Sequence, residues 1–161
     1  MRNNTLIWLW ISVIVIILDQ SSKLWITQII SLHQSIPILP SFNFTLLYNE
    51  GAAFSFLAQA GGWQRWFFII LTTVIITILL IWLYNLERQQ RLVMFSLALI
   101  IGGALGNLID RVLYGYVIDF IDVYYQQWHW PTFNIADSAI SIGVTLLLFD
   151  TIRQSSHNSL K

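Results

Sequence analysis

WFFIILTTVIITILLIWLY, residues 66 to 84, carries no charge from end to end. Crossing the hydrocarbon core of a bilayer takes about 20 mostly apolar residues in helical form, so this stretch predicts a membrane span. LVMFSLALIIGGALGNLI, residues 92 to 109, meets the same test. Residues 133 to 151 meet it apart from Asp137 and Asp150, and residues 5 to 24 begin strongly apolar and turn polar at Asp19. Four spans result. The fold class expected is an all-α membrane protein of four transmembrane helices.

Composition agrees. The chain of 161 residues is 57% apolar and 10% charged, where soluble domains carry about a quarter charged residues. Mean hydropathy is +0.67. The length suits one integral membrane domain over residues 1–161. A net charge of zero gives no basic excess to neutralise a phosphate backbone, so no nucleic-acid partner is expected. The absence of cysteine excludes disulfides, thiolate metal sites and a cysteine nucleophile. The first span lacks a small-x-small cleavage site and runs into DQSSK, so it reads as a retained span rather than a secretory signal.

Arg2, Arg88, Arg91, Arg153 and Lys161 flank one side of the spans, against Lys23, Arg65 and Arg111 on the other. That bias expects both termini in the cytoplasm. The longer connections, 27–65 and 110–132, then lie outside. FNFTLLYN, residues 42 to 49, alternates and ends at the turn signal NEG, while YVIDFIDVYY, residues 116 to 125, is rich in β-branched and aromatic residues. Both read as extended, and together they predict a small β cap on the outer side. Trp63, Trp66, Trp128 and Trp130 suit the membrane–water interface.

The acidic residues carry the functional signal. Glu87 and Asp150 sit at cytoplasmic boundaries and Glu50 in a predicted turn. Asp19, Asp110, Asp119, Asp122 and Asp137 gather at the outer span ends or in the cap. Charges beside membrane spans usually face the bundle interior and mark function. Asp119 in YVIDFI and Asp137 in FNIADS stand in apolar surroundings. If the fold brings them together they cannot both ionise cheaply, and the pair shares a proton. Such a dyad takes a proton from water and gives one to a leaving amide. The plainer alternatives are a helix-dipole charge for Asp137 and a solvated Asp119.

In GNLIDR, residues 106 to 111, Asn107 and Asp110 share a helix face, and Asp110 with Arg111 is read as an ion pair anchoring the interface. Asn134 serves equally as a helix-start cap or as a support for a carboxylate. His129 among carboxylates raises a metal site, but WHW reads better as interfacial and no paired-histidine spacing occurs, so no metal and no cofactor is expected. No GxSxG elbow supports serine catalysis.

Five blocks, DQSSK (19–23), NEGAAFS (49–55), GNLIDR (106–111), YVIDFI (116–121) and FNIADS (133–138), resemble in order those of the bacterial lipoprotein signal peptidases, signal peptidase II. The resemblance covers nearly the whole chain. It implies an aspartyl endopeptidase of the bacterial inner membrane, acting near the outer leaflet. Its substrates would be prolipoproteins, cut just before a diacylglyceryl-modified cysteine. Matched by motif, the catalytic residues would be Asp119 and Asp137. Asn49, Gly51, Asn107, Asp110, Arg111 and Asn134 would surround them, Asp19 and Lys23 would belong to the first block, and NEGAAFS would close as a flap. Membrane lipids are the other expected partners, and a monomer the expected state. The rival function is a small transporter or channel subunit lined by Asp19, Asp110 and Asp137. A non-catalytic lipid-binding protein is a further alternative.

Overall fold

The computed structural model describes residues 5 to 51 and 62 to 158. A short 3-10 turn, Thr5–Trp8, leads into α1 (Leu9–Ile29). Then come β1 (Ser35–Leu39), β2 (Phe42–Asn49), α2 (Trp63–Asn85), α3 (Arg91–Leu113), β3 (Val117–Tyr125), β4 (Trp128–His129) and α4 (Ile135–Asn158). All four helices are long and apolar enough to cross a membrane. The strands form one antiparallel sheet in the order β1-β2-β3-β4. The expected four helices and extended cap are therefore present, and β1 and β4 add edge strands that alternation in the sequence had not marked.

Helix α3 is the axis of the bundle, because its sequence lets neighbours come close. Where helices meet in lipid, small residues replace bulk so that backbones can approach. Gly102, Gly103 and Gly106 do this on two sides. A Cβ at Gly102 would sit 2.8 Å from the Cα of Ser12 on α1, and one at Gly103 would run into the carbonyl oxygen of Ala136 on α4. One at Gly106 would lie 2.6 Å from Oδ2 of Asp19. Ser12 Oγ then donates to the carbonyl oxygen of Ala98 at 2.6 Å, which ties α1 to α3 by a polar bond that hydrocarbon cannot compete for.

Apolar residues fill two cores. Leu83, Met94, Leu97 and Ile101 pack α2 against α3. Ile26 and Ile30 at the end of α1 pack beneath Leu46, Ile118 and Phe120 of the sheet, which seats the sheet on one end of the bundle. Outward faces are apolar too, as with Ile78 at 58% exposure. A water-soluble protein would bury such residues; a bilayer makes them the natural surface.

The β2–β3 register pairs Asn43 with Asp122, Leu47 with Asp119 and Asn49 with Val117, and it shifts between Phe44 and Leu47. A bulge of this kind re-aims side chains at a sheet rim. Here it lies between the partners of the two acidic residues of β3.

Close approach at α3 predicts a large effect from a small change. Gly103→Val should destabilise the protein by about 1–3 kcal/mol through overpacking. Ile78→Val, on the lipid face, should leave the thermal midpoint in detergent nearly unchanged. Equal midpoints for the two variants would show that α3 and α4 are not in the contact described.

Candidate active site

At the sheet end of the bundle the polar residues form two connected layers. The inner layer centres on Lys23, fully enclosed at 1% exposure. Its Nζ lies 2.8 Å from Asp19 Oδ2, one turn back on α1, and 2.8 Å from Asp110 Oδ2 on α3. Each carboxylate also ties down a backbone amide. Asp19 Oδ1 accepts from the amide of Ala136 at 2.9 Å, one of the donors that the first turn of α4 leaves unpaired. Asp110 Oδ2 accepts from the amide of Ile118 at 3.1 Å. Gln20 Nε2 bridges Asp19 Oδ2 at 3.1 Å, Asp110 Oδ1 at 2.9 Å and the carbonyl of Gly106 at 3.2 Å. Three helices and β3 meet at this cluster.

The outer layer is made of asparagines. Asn107 Oδ1 accepts from Lys23 Nζ and from Asn134 Nδ2, both at 3.1 Å, which leaves its Nδ2 to donate to Asp137 Oδ1 at 2.7 Å. Asn134 is the residue before α4, and it caps that helix reciprocally. Its Oδ1 accepts from the amide of Asp137 at 2.9 Å, while Asp137 Oδ2 accepts from the amide of Asn134 at 3.3 Å. This is the capping-box arrangement, with an aspartate in the third helical position. The same asparagine donates Nδ2 to Asp119 Oδ1 at 2.7 Å. Both roles expected for Asn134 are thus filled by one side chain. Asn49 Nδ2 donates to Asp119 Oδ2 at 3.0 Å, and Asn49 Oδ1 accepts from the amide of Gly51 at 3.1 Å. Arg111 Nη2 donates to the carbonyl of Gly51 at 3.0 Å.

Asp119 and Asp137 therefore share a neighbour and open on one cavity of about 1200 Å³, together with Asn49, Glu50, Asn107 and Arg111. Leu47, Val117, Phe133, Ile140 and Ile142 give that cavity apolar walls. Burial, with the Asp137 charge next in importance, pushes the Asp119 carboxyl up to about 7, against the opposing donors Asn49 and Asn134 and the charge of Lys23. A carboxyl so placed holds or releases a proton near neutral pH.

All the expected site residues that the structure describes converge here. The flap proposed for NEGAAFS falls partly on residues 52–55, outside the described residues. One expectation is corrected. Asp110 does not pair with Arg111; adjacent helical residues point about 100° apart, and Asp110 turns inward to Lys23 while Arg111 turns to the cavity. There its guanidinium lies 5.1 Å over the ring of Phe68, and its Nε is buried with no hydrogen-bond partner among the described residues. Gln20 and Gly106 were not anticipated. Gln20 had a signal, since it stands inside DQSSK next to an intramembrane aspartate. His129 does not approach a group of ligands: its Nδ1 lies 2.7 Å from Asp122 Oδ1, and among the described residues no cluster of three metal-ligating side chains occurs.

Four membrane-capable helices, with two carboxylates opening on one cavity at the end of their bundle, give the architecture of a polytopic membrane protein. Comparison with known proteins narrows the class. The family model for signal peptidase (SPase) II matches residues 11–153, and the chain belongs to that family. A lipoprotein signal peptidase of Alteromonas mediterranea is 51% identical over 158 residues, 98% of this chain and 87% of that protein. Those of Yersinia pseudotuberculosis and Photorhabdus laumondii are 52% and 49% identical, covering 89% and 96% of this chain and 85% and 92% of their own lengths. A bacterial membrane enzyme solved by the in meso method at 2.3 Å resolution superposes with a TM-score of 0.85 at 35% identity, covering 93% of this chain and 90% of its own.

Removing one partner of a buried ion pair leaves the other uncompensated, at a cost of about 3–5 kcal/mol. Lys23→Met should therefore lower stability in detergent by that order, although methionine fits the volume. Adding Asp19→Asn to Lys23→Met should recover part of the loss. A Lys23→Met protein as stable as the parent would show that the cluster holds nothing together.

Proposed function

We propose that this protein is the aspartyl endopeptidase that removes signal peptides from prolipoproteins, cutting before the diacylglyceryl-modified cysteine, with Asp119 and Asp137 as the catalytic pair. One observation carries the reading: two carboxylates on one cavity, Asp119 buried and Asp137 half-buried, each held by Asn134 and by one further asparagine. No side-chain nucleophile is needed. One carboxylate takes a proton from water as the hydroxyl adds to the scissile carbonyl carbon, and the other gives its proton to the carbonyl oxygen, forming a diol. Collapse of the diol breaks the C–N bond. A proton passes to the departing cysteine nitrogen, and the signal peptide leaves with a new carboxyl group. Arg111 lines the cavity with an Nε–H that has no partner among the described residues, and is placed to hold a peptide carbonyl.

The substrate carries two acyl chains and an apolar signal helix. Both remain in the bilayer while the scissile bond enters at the bundle end. Burial of acyl methylenes at about 0.8 kcal/mol each holds such a substrate with few polar contacts, and the cavity walls at Ile140 and Ile142 supply apolar surface for it. In this reading the chain is one inner-membrane domain acting as a monomer. Its termini lie in the cytoplasm and the sheet faces the periplasm, as the distribution of Arg and Lys favours. A transporter would need polar groups through the full depth of the bundle. Away from the site the described core is instead built on residues such as Leu83, Leu97 and Ile101, and the buried hydroxyls of Ser12 and Ser96 are bonded to the backbone carbonyls of Ala98 and Leu92.

Asp119→Asn and Asp137→Asn should each lower cleavage of a purified diacylglyceryl prolipoprotein by a factor of about 10⁴ or more, read as loss of the gel shift, since either amide removes one half of the acid–base exchange. The variants should still insert and fold, because asparagine retains the size and an oxygen acceptor. Normal processing by either one ends the proposal. The pair works with one proton between its members. Asp119 titrates near 7, so the single-turnover rate should fall about tenfold per unit as pH rises beyond that value. A rate still climbing between pH 7 and 9 would contradict a shared proton.

A further inference from the structure

The segment after β3 returns across the cavity as a strap. His129, Trp130, Pro131, Thr132 and Phe133 all line the cavity wall. The base of the strap is well fixed. The amide of Phe133 donates to Ile121 at 3.1 Å and the amide of Ile121 donates back at 2.8 Å, and the amide of Trp130 donates to Val123 at 2.8 Å. Its tip is less so. The β3–β4 ladder is two pairs long, Tyr124 with His129 and Tyr125 with Trp128, and Gln126 turns the chain in the left-handed region at φ 55°. So short a hairpin has little stability of its own.

A side-chain contact fastens it. His129 Nδ1 lies 2.7 Å from Asp122 Oδ1, and the imidazole stacks on Tyr124 with centroids 5.0 Å apart. Asp122 is buried and preset. Its other oxygen, Oδ2, accepts from Asn43 Nδ2 at 3.1 Å and Thr45 Oγ1 at 3.0 Å on β2. Burial opposes ionisation of Asp122, but the bond from His129 and those from Asn43 and Thr45 outweigh it and hold this carboxyl below its ordinary value. An ionised carboxylate only accepts, so the hydrogen must sit on Nδ1 of His129. The histidine side chain is 51% exposed against 6% for the aspartate. The bond is therefore formed at the cavity rim, where its loss frees the strap without opening the core.

We infer that His129 is a positioning residue: its clasp on Asp122 keeps the strap of residues 126–132 seated as the wall against which substrate binds. The inference rests on the reading of this cavity as the substrate site. If the strap is in place for only a fraction of the time, apparent affinity falls by that fraction. Bound substrate then reseats it, so the chemical step is spared.

The test uses the purified full-length protein and a diacylglyceryl-modified precursor. His129→Phe keeps the stacked ring and removes the donor; His129→Asn keeps an N–H donor without the ring. His129→Phe should raise KM about tenfold, the order expected for a hydrogen bond to a charged group. Its kcat should stay within about twofold and its thermal midpoint should not move. His129→Asn should recover most of the affinity. Asp122→Ala, which removes the acceptor, should match His129→Phe, and the double variant should add nothing further; should Asp122→Ala fail to fold, the two His129 variants decide alone. An unchanged KM, a fall confined to kcat, or additive losses would overturn the clasp. A second readout does not depend on catalysis. Because the chain has no cysteine, a nitroxide on Gln127→Cys reports the strap alone. Its mobility should rise with His129→Phe and not with His129→Asn, and equal mobility in all three backgrounds overturns the inference. Inactive wild-type protein with the expected label mobilities would count against the substrate reading only.

Discussion

A single buried ammonium organises this protein. Lys23 is enclosed by groups from two helices, and each group it pairs with also fixes a backbone amide elsewhere: Asp19 that of Ala136, Asp110 that of Ile118. The start of α4 and the start of β3 are thereby set relative to α1 and α3. Burying such a cluster is costly, and hydrophobic replacement is often the more stable choice. Its value here is position. The two segments it locates are the ones that carry Asp137 and Asp119.

The close packing of α3 makes the cluster possible. Gly106 leaves room for the Asp19 carboxylate beside the α3 backbone, and Gly103 lets the first turn of α4 press against it. A bulkier α3 would push α1 and α4 outward, and the amide of Ala136 would no longer reach Asp19. Helix packing and site geometry are one constraint, which is how two acidic groups are held at fixed places at the end of the bundle.

Much of this is legible in the sequence, for stated reasons. Charge-free runs of membrane length mark the helices, because lipid demands apolar side chains along the whole span. Alternation marks β2 and β3, whose two faces meet different surroundings. The acidic residues stand out because carboxylates in apolar stretches require a cause. The partner of each acid is what the sequence withholds. Asp110 and Arg111 look paired because they are adjacent, yet helix geometry sends them to different layers. His129 among the acids suggests a metal ligand, and it is the short hairpin that makes it a hydrogen-bond partner of Asp122 instead. The edge strands β1 and β4 carry no alternation strong enough to notice. The glycines of α3 could have been read as a close-approach surface, since Gly102 and Gly106 stand four apart in an apolar helix.

Why asparagines, rather than charged groups, touch the two carboxylates follows from the chemistry proposed. A lysine or arginine in direct contact would favour both acids ionised and drive off the proton that the pair must share. Asparagine donates an N–H without a full charge, so it can orient a carboxylate while leaving its protonation open. Lys23 is kept one side chain away, behind Asn107, and its charge is already met by two aspartates. Arg111, which does line the cavity, directs Nη2 at the carbonyl of Gly51 rather than at either acid. The molecule thus uses a strong, buried charge cluster for placement and a neutral amide layer for contact. Fixed geometry and a mobile proton can coexist only because those two tasks fall to different residues.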